Sequence, residues 1–544
     1  MGNHVLHSLF LLMFFWVLCN AHDKEFLKCM SERSEAKVET FIHPPNSPEY
    51  CKLLKYAQKN GRWMNSSSAQ PIFLVAPYTE TEVQSTVQCS KSVGLQIRVK
   101  SGGHDYEGLS FRSESPFIMV DLNNLNSINI DLNEETAWIQ AGATLGELYY
   151  DISQKSKTLA FAGGLYPTVG SGGHISGGGL GTMLRKYGLA SDNVIDARIV
   201  NANGEILDRT SMGEDLFWAL RGGGGSSFGV ILAWKLKLSK VPEQVTAFVV
   251  RRKMTPESIQ LLERWEGIGH KLHEDLFLRV LVQNVKQNVT GEEKIVQISY
   301  QGLFLGTAEN LVPLLNQDFP EFELEVKDCF HGVYVADPSC VQKPCIIKEC
   351  YQVPWIRSVL FFAGQKTTMD LEYLATKNFT KPPSYYKAKS DFGQKPIGAA
   401  GWEVIHKSFL EEESPLMIID PFGGKMGQIS ESETPFPHRQ GIINNIQYIV
   451  NWKSDEDEAK VNKHMEWIRK LYKEMEPFFS CPRAAYINYK DLDLGANNEA
   501  FNYEQAKEWG EKYFKGNFER LARVKSMVDP SNFFRNELSI PLFR

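Results

Sequence analysis

Two histidines of the chain stand inside glycine-dense segments. SGGHDYEG, which contains His104, directly follows the strand-like run GLQIRV, and GSGGHISGGGLG contains His174. A third dense segment, RGGGGSSFG, follows further along the chain. Glycine permits positive φ values and a close backbone approach to a ligand, and consecutive free N–H groups can surround phosphate oxygens. The pattern predicts a phosphate-bearing ligand held by backbone, with an imidazole beside it.

The common nucleotide-binding motifs do not account for these segments. None of them contains the GK[ST] sequence of a P-loop. GSGGHISGGG lacks the Rossmann arrangement, because no acidic residue follows at the required place after a helix. A different dinucleotide-binding fold is therefore indicated.

The elements that position these segments alternate between strands and helices. From about Pro71 to Leu238, PIFLVAPYT and FIMVDL read as strands, and TETEVQSTVQCSKSVG reads as a helix. Thr79 or Thr81 can cap that helix and Gly94 can end it. AWIQAGATLGELYYDISQKS reads as a strand followed by a helix.

The middle of the chain has a different pattern. Between about Val245 and Met475, the runs LFLRVLVQNV, KIVQISYQGLFLG and IINNIQYIVNW predict an antiparallel sheet. SIQLLERWEGIGHKL and EAKVNKHMEWIRKLYKEM predict amphipathic helices that cover it.

Composition narrows the class of protein. The 544 residues suffice for two or more domains, and a net charge of -6 argues against a general nucleic-acid binder. The aromatic content of 12% suits a pocket for a flat, apolar ligand.

The N-terminus predicts entry into the secretory pathway. An apolar stretch from Leu9 to Leu18 and a cleavage site near Ala21 indicate a signal peptide over residues 1–21. No later run is long and apolar enough to predict a membrane span. Three sequons predict glycosylation, at Asn65, Asn288 and Asn378.

Eight cysteines remain after Cys19 leaves with the signal peptide. In a secreted chain some of them should pair. The cluster CVQKPCIIKEC lacks zinc-site spacing, which favours disulfides or free thiols over a metal, and we predict no metal site.

Several longer motifs carry a family resemblance that spans nearly the whole mature chain. The chain resembles the plant berberine-bridge-enzyme-like flavoproteins, which include the cannabinoid oxidocyclases. The resemblance implies an α+β fold, in which a vanillyl-alcohol-oxidase/PCMH-type FAD-binding domain joins an antiparallel-sheet substrate domain flanked by helices. It divides the chain into residues 1–21, 22–243, 244–475 and 476–544, the last returning to the FAD-binding domain. The motifs are RVKSGGHDYEG, GGLYPTVGSGGHISGGGLG, KYGLASDNVIDARIV, GEDLFWALRGGGGSSFGV, NYKDLDLG and DPSNFFRNELSIP.

The resemblance also implies FAD as cofactor, bonded covalently through the His104 imidazole. It pairs Cys29 with Cys89 and leaves open the pairing of Cys51, Cys329, Cys340, Cys345, Cys350 and Cys481. For His174, contact with the flavin and a structural hydrogen bond are both open. The implied cofactor-binding residues are Ser101, Gly102, Gly103, His104, Asp105, Tyr166, Thr168, Gly170, Gly172, Gly173, His174, Gly177, Asp192, Val230 and Tyr489.

Two positions depart from the family pattern. Tyr166 stands where many members carry a cysteine that makes a second flavin link, so attachment through His104 alone is expected. Asn445 stands where relatives carry a glutamate base, and an amide cannot accept a proton at neutral pH. Tyr489 matches a tyrosine that acts as the base in the cannabinoid cyclases; a hydrogen-bonding role is the alternative. Val169 matches the small residue that gives O2 access to the flavin in oxidase members.

Three activities are compatible with these residues. The two departures favour an intermolecular [4+2] Diels–Alder cycloaddition between phenolic compounds without net redox change, with Arg279, Arg357 and Arg439 as candidate donors to the dienophile carbonyl. The alternative is an oxidase or oxidative cyclase that uses O2 and releases H2O2, with Tyr489 and Asn445 as the candidate catalytic positions. A carbohydrate oxidase is a third possibility, disfavoured by the apolar strands. We expect a monomer that is secreted or vacuolar.

Overall fold

The structure is a computed structural model that describes residues 22–64, 70–286, 294–330, 347–377, 384–479, 481–497 and 502–543. The predicted signal peptide and the three sequon asparagines, Asn65, Asn288 and Asn378, lie outside the described residues, as do Cys340 and Cys345.

A small sheet near the N-terminus supports the first glycine segment. Its order is β1-β2-β4-β3, with β2, β4 and β3 mutually parallel. The predicted helix is Glu80–Ser92, which Thr79 begins with a capping box to Glu82. The strands are β1 Ile42–His43, β2 Phe73–Val75, β3 Gln96–Lys100 and β4 Phe117–Asp121.

A second sheet is antiparallel throughout and has the order β5-β6-β10-β8-β9. The second glycine segment is not loop throughout, because Ser171–Ser176 form a short helix in which His174 N donates to Gly170 O. The strands are β5 Ile128–Asp131, β6 Thr136–Gln140, β8 Val194–Val200, β9 Ile206–Leu207 and β10 Val230–Lys237, with β7 Leu159–Ala160 paired to β11 Ser239–Lys240.

The middle of the chain forms a seven-stranded antiparallel sheet of order β15-β12-β14-β13-β17-β18-β16. The predicted strand runs are confirmed, and the predicted helices are Pro256–Ile268 and Glu458–Glu474. The strands are β12 Val245–Lys253, β13 Leu276–Lys286, β14 Lys294–Phe304, β15 Ile347–Val353, β16 Tyr385–Gly393, β17 Pro415–Pro421 and β18 Asn444–Trp452.

The two faces of this sheet differ in chemistry. Leu278, Val280, Met417 and Ile446 point into an apolar core shared with the covering helices. Because side chains alternate along a strand, the residues between them point to the opposite face, toward the glycine segments. That opposite face carries Arg279, Gln301, Asp420, Asn445 and Gln447. The apolar strand composition therefore describes the covered core, and it does not argue against a polar substrate.

The last part of the chain packs on the first. Tyr503–Phe514 and Asn517–Val528 are helices whose apolar residues belong to the same core as the N-terminal sheets. The buried Lys525 donates to Ser227 O and pairs with Asp529. The exact domain boundaries stay a prediction. The other helices are Pro48–Ala57, Leu145–Lys155, Leu184–Tyr187, Arg209–Leu220, Ala308–Asp318, Trp355–Phe362, Glu372–Ala375, Gly398–Glu411 and Lys425–Gln428.

The implied disulfide is confirmed: Cys29 and Cys89 are bonded, and a second bond joins Cys329 to Cys350. Cys51 and Cys481 are free and exposed. Across the described ranges, no helix has the length and apolar character needed to cross a bilayer, and no cluster of potential metal ligands is found.

Candidate active site

The first two glycine segments pack back to back. A Cβ atom on Gly102 would lie 2.3 Å from Gly170 N, and one on Gly170 would lie 2.1 Å from Ser101 Oγ. Ser101 Oγ also donates to Ala141 O at 2.5 Å. Any side chain at either glycine would separate the segments, so glycine is required for the close approach that brings His104 beside Thr168.

We predict that Gly102→Ala destabilises the protein by about 1–3 kcal/mol, the usual effect of overpacking, because the added methyl meets backbone atoms that cannot move aside. The measurement is thermal unfolding of the purified variant. Gly267→Ala is the matched control: a Cβ on this helical glycine meets nothing within 4 Å, so unchanged or higher stability is expected. An unfolding temperature of Gly102→Ala equal to that of wild type would contradict the packing argument.

His104 lies between these segments. Its Nε2 is 2.8 Å from Thr168 Oγ1, and its ring meets Tyr166 edge-on at a centroid distance of 6.0 Å. Burial, aided by the positive charge of Lys59, lowers the pKa of His104 to about 3. The imidazole is therefore neutral at physiological pH and keeps a lone pair available for bonding. Tyr166 itself is half exposed.

His174 is held by hydrogen bonding within the glycine segments. Its Nε2 accepts the Gly164 N–H at 2.9 Å, and added Cβ atoms on Gly164 or Gly179 would lie 2.6 Å or 2.8 Å from its ring. Burial lowers the pKa of His174 to about 4, which keeps Nε2 an acceptor. This placement matches the structural alternative; whether the ring also contacts a ligand stays a prediction.

The C-terminal part of the chain completes the second segment. Asn488 Nδ2 donates to His174 O at 3.0 Å, and a Cβ on Gly177 would lie 2.0 Å from Asn488 Oδ1. A Cβ on Gly172 would contact Ala141 at 3.1 Å, whereas one on Gly173 would meet nothing within 4 Å. Gly177 and Gly172 thus serve packing, and Gly173 leaves open backbone of the kind a ligand can approach.

Other implied cofactor-binding residues have protein partners of their own. Asp192 accepts from Arg439 Nη2 at 2.7 Å and Nη1 at 2.8 Å, and from Leu189 N at 2.8 Å. Val230 is fully buried at the start of β10. Their contact with a cofactor stays a prediction.

Aromatic side chains connect the first glycine segment to the large sheet. The rings of Tyr106 and Tyr489 stack with an interplanar angle of 3° and centroids 5.6 Å apart. Gln447 Nε2 donates to Tyr106 Oη at 2.6 Å. Burial raises the pKa of Tyr489 well above its usual value, so its phenol remains protonated and can donate a hydrogen bond. The family role of a base needs the opposite shift.

Sequence reasoning did not identify Asp420 as a site residue. It lies in register with Asn445 on the neighbouring strand, and no hydrogen bond to its Oδ1 is present among the described residues. Burial raises the pKa of Asp420, while the positive charge of Arg279 opposes that rise. Asn445 Nδ2 donates to Asp391 O at 3.3 Å. The large sheet therefore presents a buried carboxylate next to the position where a glutamate was expected.

The three candidate arginines have different partners in the structure. Arg279 faces the site, donates to Gln301 Oε1 at 2.5 Å and 2.8 Å, and lies 5.5 Å from the Phe362 ring centroid. Arg439 is engaged with Asp192, and Arg357 donates to Thr367 O and Met369 O.

A small, mostly apolar pocket opens beside the second glycine segment. Phe362 is shared between this pocket and the surroundings of Arg279. The pocket is lined by Tyr149, Phe161, Leu165, Trp355, Val359 and Phe362, with the backbone of Gly163 and Gly164.

The arrangement fits a flavin dinucleotide. His104 lies beside Thr168 of the second segment, and Tyr106, two residues after it, is hydrogen-bonded to Gln447 of the large sheet. Gly173 leaves open backbone in the second segment. Such a site defines a flavoprotein in which nucleotide-binding loops face a separate substrate sheet.

Comparison with known proteins gives the family. A family model described as an FAD binding domain matches residues 71–210, and one described as berberine and berberine like matches residues 485–541. The chain is 46% identical over 548 residues to berberine bridge enzyme-like 22 of Arabidopsis thaliana, covering 98% of both chains. It is 44% identical over 526 residues to the monolignol oxidoreductase AtBBE-like 13 of the same plant, covering 95% of this chain and 93% of the relative.

A solved structure agrees. The berberine bridge enzyme of Eschscholzia californica superposes with a TM-score of 0.85 at 37% identity, over 95% of this chain and 99% of that one. The chain belongs to the berberine bridge enzyme-like family. It is an FAD-dependent enzyme of that type, which confirms the predicted fold and cofactor.

Proposed function

We propose that the protein is an FAD-dependent oxidase of small phenolic compounds, with the flavin attached through His104. The observation that carries this proposal is Asp420, a buried carboxylate in register with Asn445. The cycloaddition hypothesis rests partly on the absence of a proton acceptor at Asn445 and partly on Tyr166 in place of the second attachment residue. Asp420 supplies an acceptor from the adjacent strand, so the site retains what an oxidation of a phenol requires.

Each site residue has a role in this proposal. Asp420 accepts the substrate's phenolic proton, and its raised pKa makes it a better base than an exposed aspartate. Arg279 stabilises the phenolate that results, since its hydrogen-bond partner among the described residues is the neutral amide of Gln301. Tyr489 donates a hydrogen bond that orients the substrate oxygen. FAD held at this site would supply the two-electron oxidation, with O2 as the final electron acceptor and H2O2 as its reduction product.

The pocket beside Gly163 and Gly164 supports an aromatic or prenylated substrate. Its lining is mostly apolar, and one lining residue, Phe362, lies next to Arg279. A substrate whose ring or prenyl chain packs against this lining would direct its phenolic oxygen toward Arg279. The relative named as a monolignol oxidoreductase also supports an oxidative activity.

The cycloaddition is the second candidate, and Arg279 favours it. In the part of the chain that the structure describes, the buried Arg279 guanidinium is hydrogen-bonded to no carboxylate, so it can polarise a dienophile carbonyl as well as stabilise a phenolate. Tyr166 in place of the second attachment residue also fits a reaction that needs no strongly oxidising flavin.

One experiment decides between these activities. The secreted protein is incubated with a prenylated phenol, alone and together with a chalcone-like dienophile. Product masses are determined by mass spectrometry while H2O2 and flavin absorbance are followed. The oxidase predicts peroxide, anaerobic bleaching and a product two hydrogens lighter than the phenol. A product equal in mass to the sum of both substrates, with neither peroxide nor bleaching, would establish the cycloaddition. Turnover of glucose but of no phenol would establish the carbohydrate oxidase.

The remaining expectations belong to the same proposal. The protein is a monomer of the secretory pathway, secreted or vacuolar, and it is glycosylated at Asn65, Asn288 and Asn378. The signal-like segment over residues 1–21 and the sequons support this location.

A further inference from the structure

Two loops that are far apart in sequence lie side by side in the site. One loop contains residues 104–107 and the other residues 489–492. The Tyr106 and Tyr489 rings stack, and Lys490 Nζ lies 2.6 Å from Asp105 Oδ2. Leu492 N donates to Glu107 Oε1 at 3.4 Å. Three consecutive residues of the first loop therefore contact the second loop.

Asp105 transmits this contact to the backbone beside His104. Its other oxygen, Oδ1, accepts the N–H groups of Glu107 at 3.0 Å and Leu109 at 3.1 Å, which fixes the turn that follows the histidine. On the other side of His104, Gly103 has a φ of +74°, and a Cβ there would lie 2.2 Å from Ala57 O. His104 is thus held between a packed glycine and an ion-paired aspartate.

A buried charge network supports the same two loops from the large sheet. Lys387 pairs with Glu107 of the first loop and, at 2.6 Å, with Asp491 of the second. Lys389 pairs with Asp491 at 2.8 Å. Because these lysines lie on β16, their ion pairs fix the position of both loops relative to the sheet that carries Asp420.

We propose that Lys490 is a positioning residue, which through Asp105 holds His104 at the flavin and Tyr489 at the substrate as a single unit. The inference rests on the proposed attachment of the flavin through His104. Lys490 touches neither reacting centre in this proposal; it acts through the loop that carries each of them. The Asp105 carboxylate requires a cation beside it, because its side chain is nearly buried. Lys490 is the partner of its second oxygen, Oδ2.

The test uses full-length secreted protein with Lys490→Met and Lys490→Arg. Acid precipitation measures the fraction of flavin that stays with the protein, and we expect this fraction to fall at least fivefold in Lys490→Met and to remain within twofold of wild type in Lys490→Arg. The control is Lys515→Met, which removes another ion pair of the C-terminal segment, to Glu431 at 2.8 Å, and should leave the fraction unchanged.

Stability is measured in parallel to separate positioning from folding. Loss of Lys490 leaves the nearly buried Asp105 carboxylate without its cation, so Tm should fall in Lys490→Met, and the flavin fraction is therefore measured well below the unfolding transition of each variant. An unchanged flavin fraction in Lys490→Met would overturn the inference. An equal loss of acid-stable flavin in Lys490→Arg would also overturn the inference. A fall in Tm that leaves Lys490→Met unfolded at the assay temperature would overturn it as well, because unfolding would then explain the missing flavin.

A wild-type protein that releases all its flavin on acid treatment would refute the attachment through His104 without deciding the role of Lys490. The dissociation constant for added FAD then decides it. At least tenfold weaker binding by Lys490→Met, with Lys490→Arg within twofold of wild type, would support positioning by the cation. Equal binding by all three proteins would overturn it.

Discussion

Asp420→Asn is expected to lower kcat/KM for phenol oxidation by about 10²- to 10⁴-fold, the contribution typical of a positioned general base. The substitution keeps the size of the side chain but removes its negative charge and its ability to accept a proton. The carboxylate is buried and faces Arg279 from the strand next to Asn445. Steady-state peroxide formation measures the effect.

The same assignment predicts how the oxidase activity depends on pH. Burial raises the pKa of Asp420, and a protonated carboxyl cannot act as base. Activity of the wild type should therefore rise as pH rises through this raised pKa and fall below it, and the acidic limb should be absent in Asp420→Asn.

Two control variants make the result specific. Asp215→Asn removes an exposed carboxylate that pairs with Arg520, and no effect on activity is expected. Tyr489→Phe should lower activity by about tenfold while it keeps the acidic limb, because a protonated phenol contributes a hydrogen bond and no titration in this range. Loss of the limb in Tyr489→Phe but not in Asp420→Asn would instead assign the base to the tyrosine.

The same variant also separates the two candidate reactions. A cycloaddition transfers no proton to the protein, so Asp420→Asn should leave the rate of formation of a sum-mass product within a few-fold of wild type. A loss of more than 10²-fold in peroxide formation therefore supports the oxidase through a residue that the cycloaddition does not use.

Local patterns in the sequence predict most of the elements, whereas Tyr166 and Thr168, which contact His104, are implied by the family resemblance. The capping box of Thr79 and the glycine-dense segments are signals within a few residues, and they specify a helix start and close backbone approaches regardless of distant context. The sequence of β13 is mostly apolar and by itself predicts an apolar surface. A single strand does not reveal which of its faces meets the ligand.

The rest of the site depends on pairings between distant segments. Asp420 lies opposite Asn445 only because β17 and β18 pair in one register, and a shift of one residue would point it into the covered core. Arg439 reaches Asp192, and Lys490 reaches Asp105, across large sequence separations. Such contacts are products of the tertiary fold, and no local spacing in one sequence encodes them.

His104→Ala is expected to abolish acid-stable flavin completely. His104 lies between the two glycine segments, and its neutral imidazole carries a nucleophilic nitrogen. Tyr166, the neighbouring ring, has no thiolate that could form a second bond. Precipitation with acid followed by flavin absorbance of pellet and supernatant measures the result. Wild type should retain its flavin in the pellet, and the variant should release whatever it binds.

The fold of His104→Ala should survive, which allows this interpretation. The ring of His104 is hydrogen-bonded to Thr168 Oγ1. Loss of this bond should lower the free energy of unfolding by about 0.5–1.5 kcal/mol. Tyr166→Phe is the matched control at the neighbouring ring and should keep its flavin in the pellet.

The pH dependence of attachment provides an independent check. Because the pKa of His104 is lowered to about 3, the imidazole is protonated only below that value and keeps its lone pair across the range from about pH 5 to 8. Reconstitution of flavin-free protein should therefore proceed to the same covalent fraction throughout this range. A steep decrease near pH 6.5 would mean that His104 titrates like an exposed histidine and that the packed glycine segments do not bury it.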